Sequence, residues 1–360
     1  MKISCEAVIA PNKKARSLRG WIPQLVDRVL DQGARTVLSV LIVACAALAS
    51  VERANAQPFP SRPIRILIGY GPGGTTDTLS RFYAAKLQDI LNTPVIVENK
   101  PGASELLAAL PVMNAQPDGY TLWMGTAGAL AQNPGIRRDL PYDVLKNFTP
   151  IAMVADAEAV VLVKPTVAAN TLQELIAYGK SNPGRLNYGS GGMGSGNHLQ
   201  MEYLINVTGA SFTHIPYKSE AEITRDMMGG NVDVAMLTAQ IALPFVTEGK
   251  LKPLAVTGNQ RLKTMPTVPS VSEAGVAELK TMGSYTFFAL MGPAGMPAPT
   301  VQKLNEAFNK VSTMPDADQR LRETMQLRPK AITPDEYRQI LERELGKWRE
   351  LGKTVKIGTS

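Results

Sequence analysis

Residues 63–77, Pro63-Ile-Arg-Ile-Leu-Ile-Gly-Tyr-Gly-Pro-Gly-Gly-Thr-Thr-Asp77, decide the fold of this chain. The apolar run that ends at Ile68 predicts a strand. The apolar residues after the turn recur at helical spacing, at Leu79, Tyr83, Leu87 and Ile90. The stretch therefore predicts a strand, a glycine-rich turn and a helix. The first backbone N–H groups of such a helix are unpaired and lie at the positive end of its dipole, which favours a bound anion.

The charge of the chain is concentrated at its start. The net charge is +7, and the first 56 residues hold eight basic and four acidic residues. No cluster of Lys and Arg is present that would indicate a nucleic-acid partner. With 44% hydrophobic residues over 360 positions, the chain can bury a core and form two domains.

The first 56 residues are predicted to be a secretory signal peptide. The apolar run 37–49 is too short to span a membrane comfortably, basic residues precede it, and Ala54-Asn55-Ala56 follows it as a cleavage site. We expect cleavage after Ala56 and a periplasmic location. A lipoprotein site at Cys45 and an uncleaved anchor are the alternatives. Both cysteines, Cys5 and Cys45, lie in this leader, so the mature chain has no disulfide, thiolate or cysteine metal site.

The mature chain alternates strand-like and helix-like segments, which predicts an α/β fold. A helix is expected over residues 102–114, and capping boxes at Thr171 and Thr333 open two further helices. The opening pattern returns at Gly189–Asn197, a glycine-rich turn between a short strand and a helix. We therefore expect two similar α/β lobes around a ligand cleft. Lobe 1 would comprise 57–157 and 283–360, and lobe 2 would comprise 158–282, with the strand 286–291 returning the chain to lobe 1.

The first turn also fits the dinucleotide pattern G-x-G-x-x-G, with Glu98 at the end of the next strand. Pro72 stiffens the middle of this turn, the second glycine turn lacks the pattern, and an exported protein has no ready supply of nicotinamide cofactor. We therefore expect no nucleotide and no cofactor. A purely structural turn remains an alternative.

Neither glycine turn contains Lys or Arg, although a fixed cation is expected at a tight phosphate site. Backbone N–H groups, hydroxyl groups and ordered water suit a carboxylate better. The available hydroxyls belong to Thr75, Thr76, Ser190 and Ser195. Asp77 can hold the loop by pairing with Arg81, or can bind an amino or hydroxyl group of the ligand.

The two histidines, His198 and His214, do not form a metal site at any sensible ligand spacing. His198 either orients the second turn, contacts the ligand or pairs with Glu202, and His214 is expected in the core. A hydrolase would need a G-x-S-x-G turn, which the sequence around Ser195 does not provide. We therefore expect that this protein is not an enzyme. An exported α/β enzyme that uses Ser195 and His198 is the alternative.

These motifs together resemble the Bug family, the substrate-binding proteins of tripartite tricarboxylate transporters. The resemblance spans essentially all of residues 57–351, in order. The segments that carry it include 66–77, 97–103, 117–122, 140–143, 188–199, 214–218, 229–233 and 268–271. It implies a periplasmic two-lobed type II binding protein that closes around a small carboxylated solute. The implied partners are that ligand and a membrane permease, and a monomer is expected. Delivery to a signalling receptor is a further alternative.

The resemblance also implies the site. In the family the two glycine loops hold the ligand carboxylate, partly through water. The matching positions in this chain are Tyr70, Gly71, Gly73, Gly74, Asp77, Ser190, Gly192, Gly194, Ser195 and His198. Thr75 and Thr126 are assigned to the site beside them. The family usually has Phe-Pro at Tyr70-Gly71, Gly-Gly at Ser104-Glu105 and glycine at Ser219, so this pocket is expected to differ in specificity.

Overall fold

Two β-sheets organise the part of the chain that the structure describes. The computed structural model describes residues 59–279 and 285–354 of the 360 residues. The predicted signal peptide and both cysteines lie outside the described residues. None of the described helices is both long and apolar enough to cross a bilayer.

The elements alternate as the sequence predicts. The strands are β1 (Ile64–Ile68), β2 (Val95–Asn99), β3 (Thr121–Thr126), β4 (Phe148–Ala157), β5 (Ala159–Val163), β6 (Asn187–Ser190), β7 (Thr213–Pro216), β8 (Val234–Thr238), β9 (Lys252–Val256), β10 (Thr286–Pro293) and β11 (Leu327–Pro329). The α-helices are α1 (Thr75–Leu91), α2 (Leu106–Met113), α3 (Asn133–Ile136), α4 (Val144–Asn147), α5 (Leu172–Ser181), α6 (Gly196–Thr208), α7 (Glu220–Met228), α8 (Ala239–Thr247), α9 (Ala298–Thr313), α10 (Pro315–Gln319) and α11 (Pro334–Thr354).

The two sheets share one local topology. The first has the order β11-β4-β10-β3-β1-β2, and the second has the order β7-β6-β8-β5-β9. In the first sheet β1 is parallel to β2 and β3, and in the second β6 is parallel to β7 and β8. Each glycine-rich turn therefore leaves the carboxyl end of a strand with parallel neighbours on both sides, which is where open α/β sheets bind ligands.

The expected two-lobed α/β architecture is confirmed. We call the parts built on the first and second sheets the first lobe and the second lobe. The chain enters the second lobe between β4 and β5, and β10 returns it by pairing antiparallel with β3 and β4.

Apolar side chains cover both faces of each sheet. In β1, Ile66 and Ile68 pack against α1 and α9, while Leu67 between them packs on the opposite face with Trp123. Of the predicted helical stripe, Leu79, Tyr83 and Leu87 are fully buried. A side chain of this kind contributes about 1.5–3 kcal/mol when buried, so burial on both faces fixes the position of the glycine turn that follows β1.

The capping boxes form as expected. The Thr171 hydroxyl accepts from the Glu174 N–H at 3.1 Å, and the Thr333 hydroxyl accepts from the Glu336 N–H at 3.2 Å. The Glu336 carboxylate in turn accepts from the Thr333 N–H at 2.8 Å, which completes the reciprocal pair at the start of α11.

The helix predicted over 102–114 is shorter than expected. Ala103, Ser104 and Glu105 have φ angles of 48°, 52° and 71°, and α2 begins only at Leu106. Left-handed conformations are costly for residues with a Cβ atom, so tertiary contacts must hold this turn. Those contacts lie beneath the first glycine turn, as described below.

Candidate functional site

The first glycine turn is held from within by Asp77. Its carboxylate accepts from the Gly73 N–H at 3.1 Å, from Arg81 Nε at 3.0 Å and from Asn99 Nδ2 at 2.9 Å. Burial opposes ionisation of this carboxyl, but the three hydrogen bonds outweigh it and lower the pKa of Asp77. The arrangement favours the structural role of Asp77, because its hydrogen bonds go to the turn, to α1 and to β2.

The second glycine turn is held by a matching set of local contacts. Ser195 Oγ lies 2.6 Å from the Gly192 carbonyl oxygen and 2.8 Å from Asn197 Oδ1. The Gly194 N–H donates to His198 Nδ1 at 3.2 Å. His198 therefore orients the turn, and the Glu202 carboxylate accepts instead from the Tyr188 hydroxyl.

The two histidines lie together behind this turn. Their ring centroids are 4.5 Å apart, and the Ser190 hydroxyl lies 2.6 Å from His214 Nε2. Burial lowers the pKa of both His198 and His214 to about 4, and the proximity of His198 adds to the effect on His214. Both rings are therefore neutral near pH 7. Ser195 and His198 do not form a nucleophile–base pair, since each is bonded to the turn itself.

The cleft between the lobes is closed. The Gly71 N–H of the first lobe donates to the Lys218 carbonyl of the second at 2.8 Å, and Gln240 Nε2 donates to the Thr78 hydroxyl at 2.9 Å. The Ser104 hydroxyl also contacts the Met193 carbonyl oxygen in the second glycine turn. Each glycine turn therefore contacts the opposite lobe, the first through Gly71 and the second through Met193.

A cavity of about 40 Å³ remains between the closed lobes. Residues of both glycine turns and of the neighbouring strand ends line it: Tyr70, Gly74, Thr75, Thr76, Thr126, Gly191, Gly196, Asn197, Glu220, Thr238, Tyr285, Thr286 and Phe288. This volume accommodates a few water molecules and is far below the roughly 300–1,000 Å³ of a typical ligand pocket. A solute larger than a few atoms therefore needs the lobes to open or a side chain to move.

The structure brings four of the assigned residues into the wall of this cavity, namely Tyr70, Gly74, Thr75 and Thr126. The other assigned residues support the two turns. In the second turn the wall is formed by Gly191, Gly196 and Asn197. The positive φ angles of Gly73 (85°) and Gly194 (76°) show why the turns need glycine at these two positions.

Sequence reasoning did not assign Glu220, Thr238, Tyr285 or Phe288 to the site. Glu220 follows the end of β7, a parallel strand beside β6, and is the first residue of α7. That position places it at the same sheet edge as the glycine turn of the second lobe. The signal that could have identified it is an acidic residue at the start of the helix that follows this strand.

The half-buried Tyr70 and the buried Glu105 lie beside the cavity. The Tyr70 hydroxyl lies near the Glu105 carboxyl, near the Thr126 hydroxyl and near the Gly196 N–H at the start of α6. The Glu105 carboxyl also accepts from Trp123 Nε1 at 3.2 Å and from the Thr126 hydroxyl. Burial raises the pKa of Glu105 to about 8, so this carboxyl is mostly protonated at neutral pH.

The unusual left-handed turn at 103–105 is explained by this pair. A Cβ atom on Gly69 would lie 2.4 Å from Glu105 Cβ, so the Glu105 side chain lies directly beneath the first glycine turn.

No group of three or more His, Cys, Asp or Glu side chains that could hold a metal ion occurs in the described residues.

Two similar lobes, each aiming the N-terminus of a long helix at one closed cleft, define a two-lobed solute-binding protein. The family model described as "Tripartite tricarboxylate transporter family receptor" matches residues 79–357. The chain belongs to this family, and the resemblance to Bug proteins is confirmed.

Individual relatives agree with this assignment. Protein BugT of Bordetella pertussis is 30% identical over 325 residues, which cover 89% of this chain and 98% of BugT. The solved structure of an R. palustris protein with adipate has a TM-score of 0.77 and 30% identity, and the match covers 82% of this chain and 98% of that one. The structure of MatC from Rhodopseudomonas palustris with bound malate has a TM-score of 0.77 and 28% identity, covering 82% and 100%.

Proposed function

We propose that this protein is a periplasmic receptor that captures a small carboxylated solute between its two lobes and delivers it to the membrane permease of a tripartite tricarboxylate-type transporter. One structural neighbour is described as a periplasmic transporter and another as the periplasmic binding protein BugD, and two others contain the carboxylates adipate and malate. The mature protein would be a monomer released after Ala56. Its first lobe would comprise 57–157 and 283–360, and its second lobe 158–282.

One observation carries this proposal: two long helices begin at the same cavity. α1 has 17 residues and α6 has 13, and residues of the first turn of each line the cavity wall. Each helix N-terminus has N–H groups without an acceptor inside the helix and carries roughly half a positive charge. A carboxylate between the two would be held by backbone donors without any basic side chain.

In this proposal the glycine turns and their hydroxyls form the carboxylate site. Tyr70, Thr75 and Thr126 contact the solute from the first lobe. Gly192, Gly194, Ser195 and His198 act by holding the second turn in shape, and Asp77 does the same in the first turn. Gly71 joins the two lobes through its hydrogen bond to Lys218.

The proposed protein carries out no chemistry. A serine nucleophile needs a base within hydrogen-bond reach and a group that orients that base. Ser190 does contact His214, but Ser190 is fully buried, and the carboxylate nearest in the network, Glu202, is bonded to the Tyr188 hydroxyl. Ser195 is bonded to its own turn. The contacts of both serines are those of a rigid loop.

A thermal-shift screen with mono-, di- and tricarboxylates tests the proposal. A solute at 100 times its Kd stabilises the native state by about 2.7 kcal/mol, which raises the melting temperature. If no carboxylate shifts the melting temperature, the proposed function is wrong.

The Gly194→Val variant, with Gly230→Val as its control, locates the binding site. Both glycines have positive φ, 76° and 81°, so valine strains both backbones alike. A Cβ atom on Gly194 would lie 2.8 Å from Ser104 Oγ and 3.0 Å from Asn133 Nδ2, whereas a Cβ atom on Gly230 meets nothing within 4 Å. We expect loss of binding in the first variant only. Equal binding by both variants would contradict the placement of the site.

A further inference from the structure

A second gap between the lobes lies outside the ligand cleft. It is a groove with a volume of about 690 Å³, and we call it the rear groove. Its walls come from 258–264 of the second lobe and from Arg322, Glu323, Gln326, Leu327 and Arg328 of the first lobe, with Glu158 between them. None of these residues lines the closed cavity of about 40 Å³.

The strand order places the rear groove and the glycine turns on opposite sides of the hinge. The chain passes between the lobes at Glu158, which joins β4 to β5, and at the start of β10, which lies beside β4. In the first sheet β1 lies beyond β10 and β11 lies beyond β4, and in the second sheet β6 and β9 lie on opposite sides of β5. The glycine turns follow β1 and β6, whereas the rear groove is formed at β9 and β11. The hinge therefore lies between the two gaps.

Glu158 is fixed to both lobes at this hinge. Its buried carboxylate accepts from the Thr257 hydroxyl of the second lobe at 2.6 Å and from Arg328 Nη2 of the first lobe at 2.8 Å. The Thr257 N–H donates to the Ala159 carbonyl at 2.9 Å, and the Thr257 hydroxyl accepts from the Ala159 N–H at 2.9 Å. These contacts hold the lobes together at the hinge, so the lobes open and close by rotating about it.

The two walls of the rear groove lie within side-chain reach of each other. The Thr264 hydroxyl of the second lobe donates to Gln326 Oε1 of the first lobe at 2.5 Å. Gln260 is exposed on the second-lobe wall, and Arg322 and Glu323 are exposed on the first-lobe wall. A narrower groove would bring these side chains into collision.

Two rigid lobes that rotate about a hinge between two gaps widen one gap by narrowing the other. In this structure the cleft is closed and the rear groove is wide. Building on the closure of the proposed receptor, we propose that the rear groove controls closure from behind the hinge. Bulk placed in the groove holds the lobes closed and raises the affinity for every solute without contacting it. The apparent Kd is the intrinsic Kd divided by the population of the closed form, which limits the gain.

Graded filling of the rear groove tests this inference on the full mature protein. The predicted mature chain, 57–360, contains no cysteine, so Gln260→Cys places a single thiol in the second-lobe wall. Methanethiosulfonate reagents attach methyl, propyl or benzyl groups to this thiol as mixed disulfides, and dithiothreitol removes them. The control is Gln339→Cys with the same labels, at an exposed position of α11 outside the groove and the cavity.

Small-angle X-ray scattering of the solute-free protein measures closure directly. We expect the radius of gyration to fall as the label at position 260 grows, and to recover after reduction. Titration calorimetry with malate and adipate, the carboxylates present in two structural neighbours, should show tighter binding by the same factor for each. The factor is about 10-fold at most if the closed form is populated at about 10%. The labels at position 339 should change neither quantity.

The outcomes separate this inference from the proposed function. A radius of gyration that stays constant or rises with label size would overturn the inference, whether or not a solute binds. Unequal gains for malate and adipate would also overturn it, because a groove that acts only through closure affects all solutes alike. If no carboxylate binds at all, the proposed function is wrong, and the scattering result still decides this inference.

Discussion

Replacing Glu105 with glutamine should abolish the pH dependence that this buried carboxyl gives to the stability of the protein. Its pKa is about 8 in the folded protein against an ordinary value of 4.5, so the folded state holds the proton more tightly than the unfolded state. The favourable contribution is complete below pH 4.5 and is lost as the pH rises from 4.5 to 8. The loss is about 1.4 kcal/mol per pH unit, and its upper limit over the whole window is about 5 kcal/mol.

Glutamine removes this loss at a fixed cost. Its amide oxygen can accept from the Thr126 hydroxyl as Glu105 does, but its NH₂ group then faces the Trp123 Nε1–H, which donates to the carboxyl at 3.2 Å. An unpaired buried donor costs about 1–3 kcal/mol. The variant should therefore be less stable than the unsubstituted protein at pH 5 and more stable at pH 9, with the two curves crossing between them.

Urea unfolding of the mature protein at pH 5, 6, 7, 8 and 9 measures this difference. The free energy of unfolding of the unsubstituted protein is subtracted from that of the variant at each pH, so groups common to both cancel. Glu342→Gln, at an exposed position of α11, is the control and should give a difference independent of pH. A flat difference for Glu105→Gln as well would refute the protonated buried carboxyl.

Two further predictions concern stability. Burial lowers the pKa of His198 and His214 to about 4 in the folded protein, so the histidines of the unfolded chain are protonated first as the pH falls. The free energy of unfolding should therefore decline from pH 6.5 to pH 4, by at most about 1.4 kcal/mol per pH unit for each ring. Urea unfolding of His214→Gln should show a shallower decline, and an unchanged slope would contradict this. Thr333→Ala removes the hydroxyl that accepts from the Glu336 N–H and should cost about 1 kcal/mol in urea unfolding at pH 7. A loss below roughly 0.3 kcal/mol would show that the capping box contributes little.

The departures from the Bug pattern turn out to be connected. Where the family usually has phenylalanine and glycine, this chain has Tyr70 and Glu105, and the two side chains lie near each other, with Glu105 beneath the first turn. Ser219, in place of glycine, accepts from the Glu222 N–H at 3.3 Å and caps α7, the helix that begins with Glu220. The substitutions therefore act on the cavity wall and its support.

Features set by neighbouring residues were predictable from the sequence. The strand, turn and helix of 63–91 and their repeat at 187–208 follow from the spacing of apolar residues and the positions of glycine. Whether a segment forms a strand, a turn or a helix here depends on residues only a few positions apart. Thr171 and Thr333 cap their helices through hydrogen bonds that span three residues. The helix over 102–114 was misjudged at its start because the left-handed φ angles of 103–105 depend on Glu105 packing under Gly69, which is 36 positions away in sequence.

The sequence by itself therefore determined that two glycine turns each precede a helix, that neither contains a basic residue, and that a carboxylate is the anion such turns suit. Only the tertiary structure decided what else lines the cleft. Glu220 and Tyr285 enter the wall beside Tyr70 because the lobes close on each other, joined by contacts such as that between Gly71 and Lys218. Contacts between residues more than a hundred positions apart are set by packing of the two lobes, so local sequence patterns do not predict them.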